Sequence, residues 1–441
     1  MKKLPKIIRY DQITKAKKRR LFNRSFGNYR QVITEITPAI KAVADSGDSA
    51  ILKKYSSRDM QLNSLRVSKQ EFRQARQLVE PKTVAALQRA KNNIETVCKE
   101  QRLLLANGEN QKVWLENGTV AVWRRWQPIE KVGIYVPGGR ANYPSTLLMC
   151  AVPARLAGCA EIAVCAPPRP DGSLPPEVLV AAELAGVQSV YKVGGAQAIA
   201  AFAYGTQTIT KVDLVVGPAN QYVTAAKLAL FPTIQIDMPA GPSENLIIAD
   251  DSANPNWVAA DLITDCEHGP DSTGVLVTTS RKLALAVQQQ VEAQLETLPT
   301  ATTIRESLAQ FGAILIVSSL KQAVAVANEY GPEHMQIMTV DAEKVAQQIT
   351  CAGSIFVGQT TAKAAGDYIT GANHVLPTGG LARTFGPLSV ENFGRWMEFQ
   401  SVSAQGAIRL AETIKQFSSI EALPAHGQSG VVRLMTNTTI K

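Results

Sequence analysis

The sequence predicts an α/β protein: two parallel-sheet units, one after the other, with helical extensions at both ends. Three observations carry this reading. From residue 131 onward, short unbroken apolar runs alternate with helical stretches, each pair punctuated by glycine or proline. The alternation comes in two successive sets of similar style. And 441 residues exceed the roughly 250–300 that one hydrophobic core usually serves.

Taken in order, the chain opens on an N-terminal arm. Residues 1–30 hold eleven Lys/Arg and one acid, while the remainder carries 35 basic against 36 acidic side chains, so the formal charge of +9 belongs to the arm. KAKKRR (15–20) raises nucleic-acid binding as an option, but no recognition motif accompanies the charges, and a solvated or subunit-docking arm is the preferred reading. Residues 31–107 read as helices: VITEITPAIKAVADSG has apolar spacing near 3.6, and SKQEFRQARQLVEPKTVAALQRAKNNIETVCKEQ continues the pattern past Pro81. VWLENGTVAVWRRW follows as a β segment with Asn117-Gly118 at its turn.

The first α/β set pairs KVGIYVP, EIAVCAP, SVYKVGG and KVDLVVGP with helices near 144–158, in PPEVLVAAELAG, in AQAIAAFAYG and in NQYVTAAKLALF. IQIDMPAGPSE leads into the second set, with strands expected in NLIIAD, TGVLVTT, AILIVSS, HMQIMTV and SIFVG. After 358 the pattern loosens into AAGDYITGANHVLPTGGLARTFG, a glycine-rich passage of the kind that often serves function. The last fifty residues suggest two helices with little apolar surface of their own.

Composition excludes several classes. No apolar run approaches the ~18–20 residues of a membrane span, and MKKLPKIIRYDQ lacks the core of a secretory signal. The six cysteines show no C-x-x-C pairing, which predicts reduced, buried thiols in a cytoplasmic protein. Cys266 lies between Asp265 and His268 but points away from their shared helix face, so packing is expected of it. There is no G-x-G-x-x-G, Walker A or H-E-x-x-H motif. VPGGRANYPS and VGGAQAIA remain as places where backbone at a strand end could approach a phosphate.

The four histidines are more informative. His268, His334, His374 and His426 all lie in the C-terminal two-fifths, and three have acidic company: Asp265-x-x-His268, Glu333-His334, and Glu421 five residues before His426. A helix near 255–267 puts Asp265 and His268 one turn apart on one face. Two nitrogens and two oxygens suit zinc, with Asp367 an available further carboxylate; spacing alone leaves a metal site and separate structural histidines both open. Glu333 and His334 at a strand start could act separately as acid and base.

At this point whole phrases resemble a family. VGIYVPGGRANYPSTLLMCAVPARLAGC, KVGGAQAIAAFAYGT, VVGPANQYVTAAK, DMPAGPSE, CEHGPDS, YGPEHMQIM, AGDYITGANHVLPTGG and LPAHGQS are similar, in order, to the signatures of histidinol dehydrogenases, from about residue 120 to 430. The resemblance implies incomplete Rossmann-like domains in an intertwined homodimer. It implies oxidation of L-histidinol to L-histidine in two NAD-dependent hydride transfers, through an aldehyde held in a zinc-dependent site. By motif, Glu333 and His334 become the acid/base pair, and Asp265, His268, Asp367 and His426 the metal positions. Ser243, Glu421 and His334 would contact substrate together with the metal residues, with Glu421 and His426 supplied by the partner's tail. Tyr135, Gln197 and Asn220 match NAD-contacting positions; His374 is left as structural. The implied domains are a basic arm (1–30), a first α/β domain with the metal and catalytic residues (31–130 with 245–388), a second on the NAD side (131–244), and a partner-packing tail (389–441).

Three departures from the family pattern stand out. Asp265 replaces the usual glutamine, adding a negative charge on a shorter arm, and because the metal in this family grips the substrate imidazole, substrate identity is what this change touches. RAN at 140–142 replaces a small-Ala-Pro run, and GRWMEFQ at 394–400 replaces a basic segment. The alternatives are therefore a paralogous zinc- and NAD-dependent dehydrogenase of another amino alcohol or diol, and a non-catalytic binding protein, which the intact acid/base motifs weigh against.

Overall fold

The computed structural model describes residues 4–22, 29–55, 62–138, 141–187 and 189–434. Gly139 and Arg140 of the glycine-rich turn, and parts of the basic arm (1–3 and 23–28), lie outside the described residues. The chain divides into one large unit, residues 1–99 with 129–393, and a small one, residues 100–128 with 394–441.

The large unit holds both parallel sheets. The first has five strands: β4 (Lys131–Tyr135), β5 (Glu161–Ala166), β6 (Ser189–Lys192), β7 (Leu214–Val216) and β8 (Gln235–Ile236), in the order β6-β5-β4-β7-β8. The second has six: β1 (Ile7–Arg9), β9 (Glu244–Ala249), β10 (Thr273–Thr278), β11 (Ala313–Ile316), β12 (His334–Met338) and β13 (Ser354–Val357), in the order β1-β11-β10-β9-β12-β13. Leaving β1 aside, each sheet runs outward from its first strand in both directions. That is the doubly wound pattern, which creates a crevice where the order reverses, between β4 and β7 and between β9 and β12. The expected Rossmann-like parallel sheets are therefore present.

Both faces of the second sheet are buried, as its unbroken apolar strands require. Leu246 and Ile248 of β9 join one core with Leu21, Val277 and Tyr330, while Ile247 and Ala249 join another with Val258, Leu262 and Val287. The helix Tyr29–Ser46 places Val32, Ile36, Ile40 and Val43 in a core with Cys165, Tyr191 and Val215. Its apolar stripe is thus buried against the five-stranded sheet, whereas the expected boundaries grouped residues 31–130 with 245–388.

Three local expectations differ from the structure. The helical pattern around Pro81 breaks into Lys69–Leu78 and Pro81–Gly108, because proline has no N–H to donate and disfavours helix in the residue before it; Pro81 starts the second helix instead. The described part of the arm is not free: β1 pairs with β11, Leu21 is buried, and Lys18 Nζ lies 3.1 Å from Glu329. Residues 394–402, where only helices were expected nearby, form a strand.

In the small unit that strand, β14 (Gly394–Val402), pairs antiparallel with β3 (Val120–Pro128), which also pairs with β2 (Val113–Leu115) across the Asn117-Gly118 turn. Asn117 has φ 55°, the left-handed conformation that an Asn-Gly turn supplies. Two helices follow, Ala404–Ile420 and Pro424–Val431. A Cβ on Gly427 would meet Ser418 Oγ at 2.3 Å and one on Gly430 would meet Ile414 at 2.8 Å, so the PAHGQSG glycines let the two helices pack closely. None of the six cysteines forms a disulfide, and five are buried; Cys266 is fully buried, its Sγ 3.7 Å from the Leu262 carbonyl. No helix among the described residues is long and apolar enough to cross a membrane.

Candidate active site

The two sheets meet the same cavity, of about 1420 Å³, from opposite ends. The five-stranded sheet presents the carboxyl ends of its strands: Tyr135, Pro137 and Gly138 after β4, Gly217 to Tyr222 after β7, and Asp237 after β8. The six-stranded sheet presents amino ends: Ser243 and Glu244 at β9, Thr273 at β10, and Glu333 and His334 at β12.

On the first side, Gly217 adopts φ 117°, and a Cβ there would sit 2.2 Å from the Tyr135 carbonyl oxygen, so only glycine lets the two loops pass. Behind it, the buried Lys227 donates to the Gly217 carbonyl (2.6 Å) and to Asp237 Oδ1 (2.8 Å), and Asp237 Oδ2 accepts the Gly217 N–H (2.8 Å). Asn220 caps the helix Gln221–Leu230, accepting the N–H groups of Tyr222 and Val223 at 3.1 Å each. Burial pushes the Tyr135 phenol up to about 12, and its oxygen accepts from the Gly195 N–H at 3.4 Å. Tyr135 and Asn220 line the cavity; Gln197 is not among its lining residues, and its amide oxygen accepts from Lys54 Nζ at 2.7 Å.

On the second side, His334 opens β12, an inner strand of the sheet, opposite Asn245 of β9 and Ser354 of β13. Its ring is 4 % exposed. Nδ1 lies 2.9 Å from Asp265 Oδ2 and 3.3 Å from the Glu244 carbonyl oxygen. Both neighbours are acceptors, so the neutral ring carries its proton on Nδ1 and its lone pair on Nε2. Nε2 is buried with no hydrogen-bond partner among the described residues, 3.7 Å from Asp367 Oδ1. Burial works against a charged His334, but the Asp265 and Glu333 carboxylates outweigh it and the pKa rises.

Glu333 lies beside this ring, its Oε2 3.7 Å from Nδ1 and accepting the Glu244 N–H at 2.9 Å. The two neighbouring side chains, which strand geometry could have sent apart, converge. Burial pushes the Glu333 carboxyl up to about 8, so it exchanges protons near neutrality.

The expected metal positions have a different arrangement. The helix Pro255–Thr264 ends in a tight turn, Asp265–Glu267, that delivers Asp265 into the core with no exposure while His268 stays on the cavity surface. Asp265 and Asp367 are joined by Lys363, which sequence reading missed. Its ammonium donates to Asp265 Oδ1 and, at 2.8 Å, to Asp367 Oδ2. Lys363 is 1 % exposed, one turn before Asp367 in the helix Lys363–Tyr368. Burial opposes its charge, but the two carboxylates hold its pKa well above the usual value; Lys363 and His334 likewise hold Asp265 well below the carboxylate range. Burial lowers the His268 pKa.

His426 and Glu421 belong to the small unit, both exposed, Glu421 capping the helix Ala404–Ile420 and His426 within Pro424–Val431. His374 is a strut: Nδ1 lies 2.7 Å from the Asp367 carbonyl and Nε2 3.2 Å from Thr146 Oγ1, linking the Asp367 segment to the helix Pro144–Ala157 on the other sheet. Burial lowers its pKa to about 4, so it is neutral.

Comparison with known proteins shows the family. A sequence model of the family described as histidinol dehydrogenase matches residues 22–434. The histidinol dehydrogenase of Methanothermobacter thermautotrophicus is 43 % identical, over 90 % of this chain and 92 % of its own. That of Bacteroides thetaiotaomicron is 41 % identical, over 98 % and 99 %. The chain belongs to the histidinol dehydrogenase family. Among solved structures, histidinol dehydrogenase from Elizabethkingia anophelis superposes with a TM-score of 0.90 at 36 % identity, covering 99 % of both chains. Family membership makes the site that of an oxidoreductase and explains why residues far apart in sequence meet at one cavity.

Family membership also implies a metal and NAD, and the residues fit the two differently. The doubly wound first sheet, the Gly217 crossing and the cavity at the strand carboxyl ends suit a dinucleotide. A divalent ion between Asp265 and Asp367 meets an ammonium already there. Two unit charges 4 Å apart interact by about 4 kcal/mol at an effective dielectric near 20, and a divalent ion about doubles that repulsion. Asp265, Glu333 and His334 do bring one ligand atom each within 4.8 Å of one another. However, Asp265 Oδ1 accepts from the Lys363 ammonium, and the imidazole nitrogen 2.9 Å from its Oδ2 is the protonated Nδ1. The residues present do not fit zinc.

Proposed function

We propose that this chain oxidises L-histidinol to L-histidine through the aldehyde, with two equivalents of NAD. The observation that carries the reading is His334 Nε2: a buried, unpartnered basic nitrogen on the cavity wall, in a ring fixed by Asp265 and flanked by a carboxyl near its working range. Bound along the first sheet by Tyr135, Asn220 and Gln197, NAD supplies the hydride acceptor. Tyr135 and Asn220 already line the cavity; Gln197 would exchange Lys54 for the cofactor.

His334 Nε2 takes the hydroxyl proton as the alcohol becomes the aldehyde. The charge that forms on the ring is stabilised by Asp265 at Nδ1, which also holds the tautomer, the part a carboxylate plays in other imidazole-based sites. Glu333 in its ionised form accepts a proton from the water that adds to the aldehyde, and His334, once it has released its first proton to solvent, takes the hydroxyl proton of the hydrate as the acid forms. Ser243, His268 and Asp367 would hold substrate from the cavity wall. No step runs through zinc, because the residues do not fit it.

A second reading, another amino alcohol or diol as substrate, is favoured by one observation: the Asp265–Lys363 pair stands where the family's imidazole-gripping metal is expected. Absorbance at the NADH band with L-histidinol and a small panel of amino alcohols decides between them. Two NADH per histidinol and recovered histidine are expected, since alcohol to acid removes two hydrides; turnover of another alcohol with none on histidinol would establish the second reading.

The same proposal includes a homodimer whose tails bring Glu421 and His426 to the neighbouring subunit's site, in a cytoplasmic setting. Exposed apolar side chains on the small unit support it: Leu104 is 72 % exposed, Trp114 58 %, Phe417 60 % and Ile420 78 %. Light scattering should return about twice the 47.5 kDa chain mass, and a monomer at working concentration would remove the shared-site part.

A further inference from the structure

We infer that the Lys363 ammonium is the resident cation of this site, standing in place of a divalent metal, so that the folded protein holds its Asp265–Asp367 carboxylate pair together without zinc. The geometry is specific. Asp265 has no exposed surface; its Oδ1 accepts from the Lys363 ammonium and its Oδ2 lies 2.9 Å from His334 Nδ1, so both oxygens already face nitrogen neighbours inside the protein. Asp367 gives Oδ2 to the same ammonium, at 2.8 Å. Lys363 is itself held from the backbone side, its N–H on Asp261 Oδ1 at 3.3 Å, and Asp261 is fastened by Gln336 from β12. The ammonium is therefore built in, with its stem enclosed and its head between two acids.

The sequence carries the same pairing. Asp265 is a fully buried carboxylate, and a buried carboxylate needs a counter-charge. Lys363 supplies it from one helical turn before Asp367, in AKAAGDY, where the small neighbours leave room for a lysine stem. One fixed ammonium halves the charge of the carboxylate pair and occupies the space between the two acids, so a zinc ion entering there must first expel that ammonium.

The test reads metal, not turnover, so it stands whether or not histidinol is the substrate. The full-length protein is incubated with excess zinc chloride, desalted, and its zinc per chain measured by plasma mass spectrometry. Wild type should retain less than about a tenth of an equivalent, and Lys363→Arg, which keeps the cation, should do the same. Lys363→Ala frees Asp265, Asp367 and the adjacent His268, and should retain about one equivalent, a gain of roughly tenfold. Wild type retaining about one zinc per chain would overturn the inference, whatever the variants do. So would a Lys363→Ala protein with wild-type circular dichroism that still takes up none, because the ammonium would then not be what keeps the metal out. Should Lys363→Ala not fold, Lys363→Met preserves the stem and is read in the same way.

Discussion

In the proposed mechanism the pair Asp265–His334 sets the chemistry of the site, and it makes a prediction at the scale of single atoms. Asp265 raises the His334 pKa by stabilising the imidazolium, so activity that needs the neutral ring climbs with pH through a midpoint above the ordinary 6.5. Asp265→Asn removes that charge while keeping a group near Nδ1. The acidic limb of kcat/KM should move to lower pH, and kcat should fall by about 10²–10⁴, because an amide no longer favours the reactive tautomer; an unmoved limb would detach Asp265 from His334. Much of this site was legible in the residues: Glu333-His334 and Asp265-x-x-His268 stood out by spacing. Lys363 did not, because a lone lysine in a helix ordinarily reads as a solvated head on a flexible stem. The available signal was indirect, namely the surplus charge of Asp265 and the four-residue step from Lys363 to Asp367. Whether Asp265 served a metal or an imidazole was beyond spacing, since that depends on which of its two oxygens meets which neighbour.

Among elements, the loops after β4, β7 and β8 are held by one buried ion pair. Lys227 and Asp237 are each 1 % exposed at the side chain, and together they fasten the Gly217 backbone at both its N–H and its carbonyl. Removing one partner strands the other charge, so Lys227→Ala should cost about 3–5 kcal/mol in denaturant unfolding. Replacing both with apolar residues of similar volume should cost less than the single change, although Gly217 then loses its anchors; a single-change cost under about 1 kcal/mol would contradict the assignment. Most elements of both sheets could be read from apolar runs between glycines and prolines. The exceptions have local reasons. Pro81 looked tolerable within a long periodic stretch but starts a helix rather than continuing one. β14 alternates bulky and polar residues, GRWMEFQSV, and its identity as a strand depends on a partner nearly three hundred residues away. There Glu398 faces Arg124, Phe399 stacks on Trp123 at 5.5 Å, and Trp396 meets Trp126 edge-on at 5.8 Å.

On the scale of the whole molecule, the consequential fact is the opposed orientation of the two sheets. The first offers strand carboxyl ends, the usual place for a nucleotide, while the second offers amino ends carrying Glu333 and His334. In the proposed mechanism this facing lets one side of the cavity hold the hydride acceptor and the other hold the proton acceptor. No pattern of hydrophobicity encodes that facing, because each sheet's strands would look the same in either direction. The joining segments fix it, through His374 between Asp367 and Thr146, the Gly241 N–H on Thr378 Oγ1 at 2.6 Å, and Asn373 Nδ2 on the Met149 carbonyl at 2.7 Å. The account as a whole rests on His334 Nε2 as the atom that takes the substrate proton into this cavity. The most direct measurement is NADH formation from L-histidinol by His334→Ala, alongside wild type, with the fold checked by circular dichroism. The account predicts a loss of about 10²–10⁴ in kcat with the fold retained; a folded variant that turns over at the wild-type rate would contradict it.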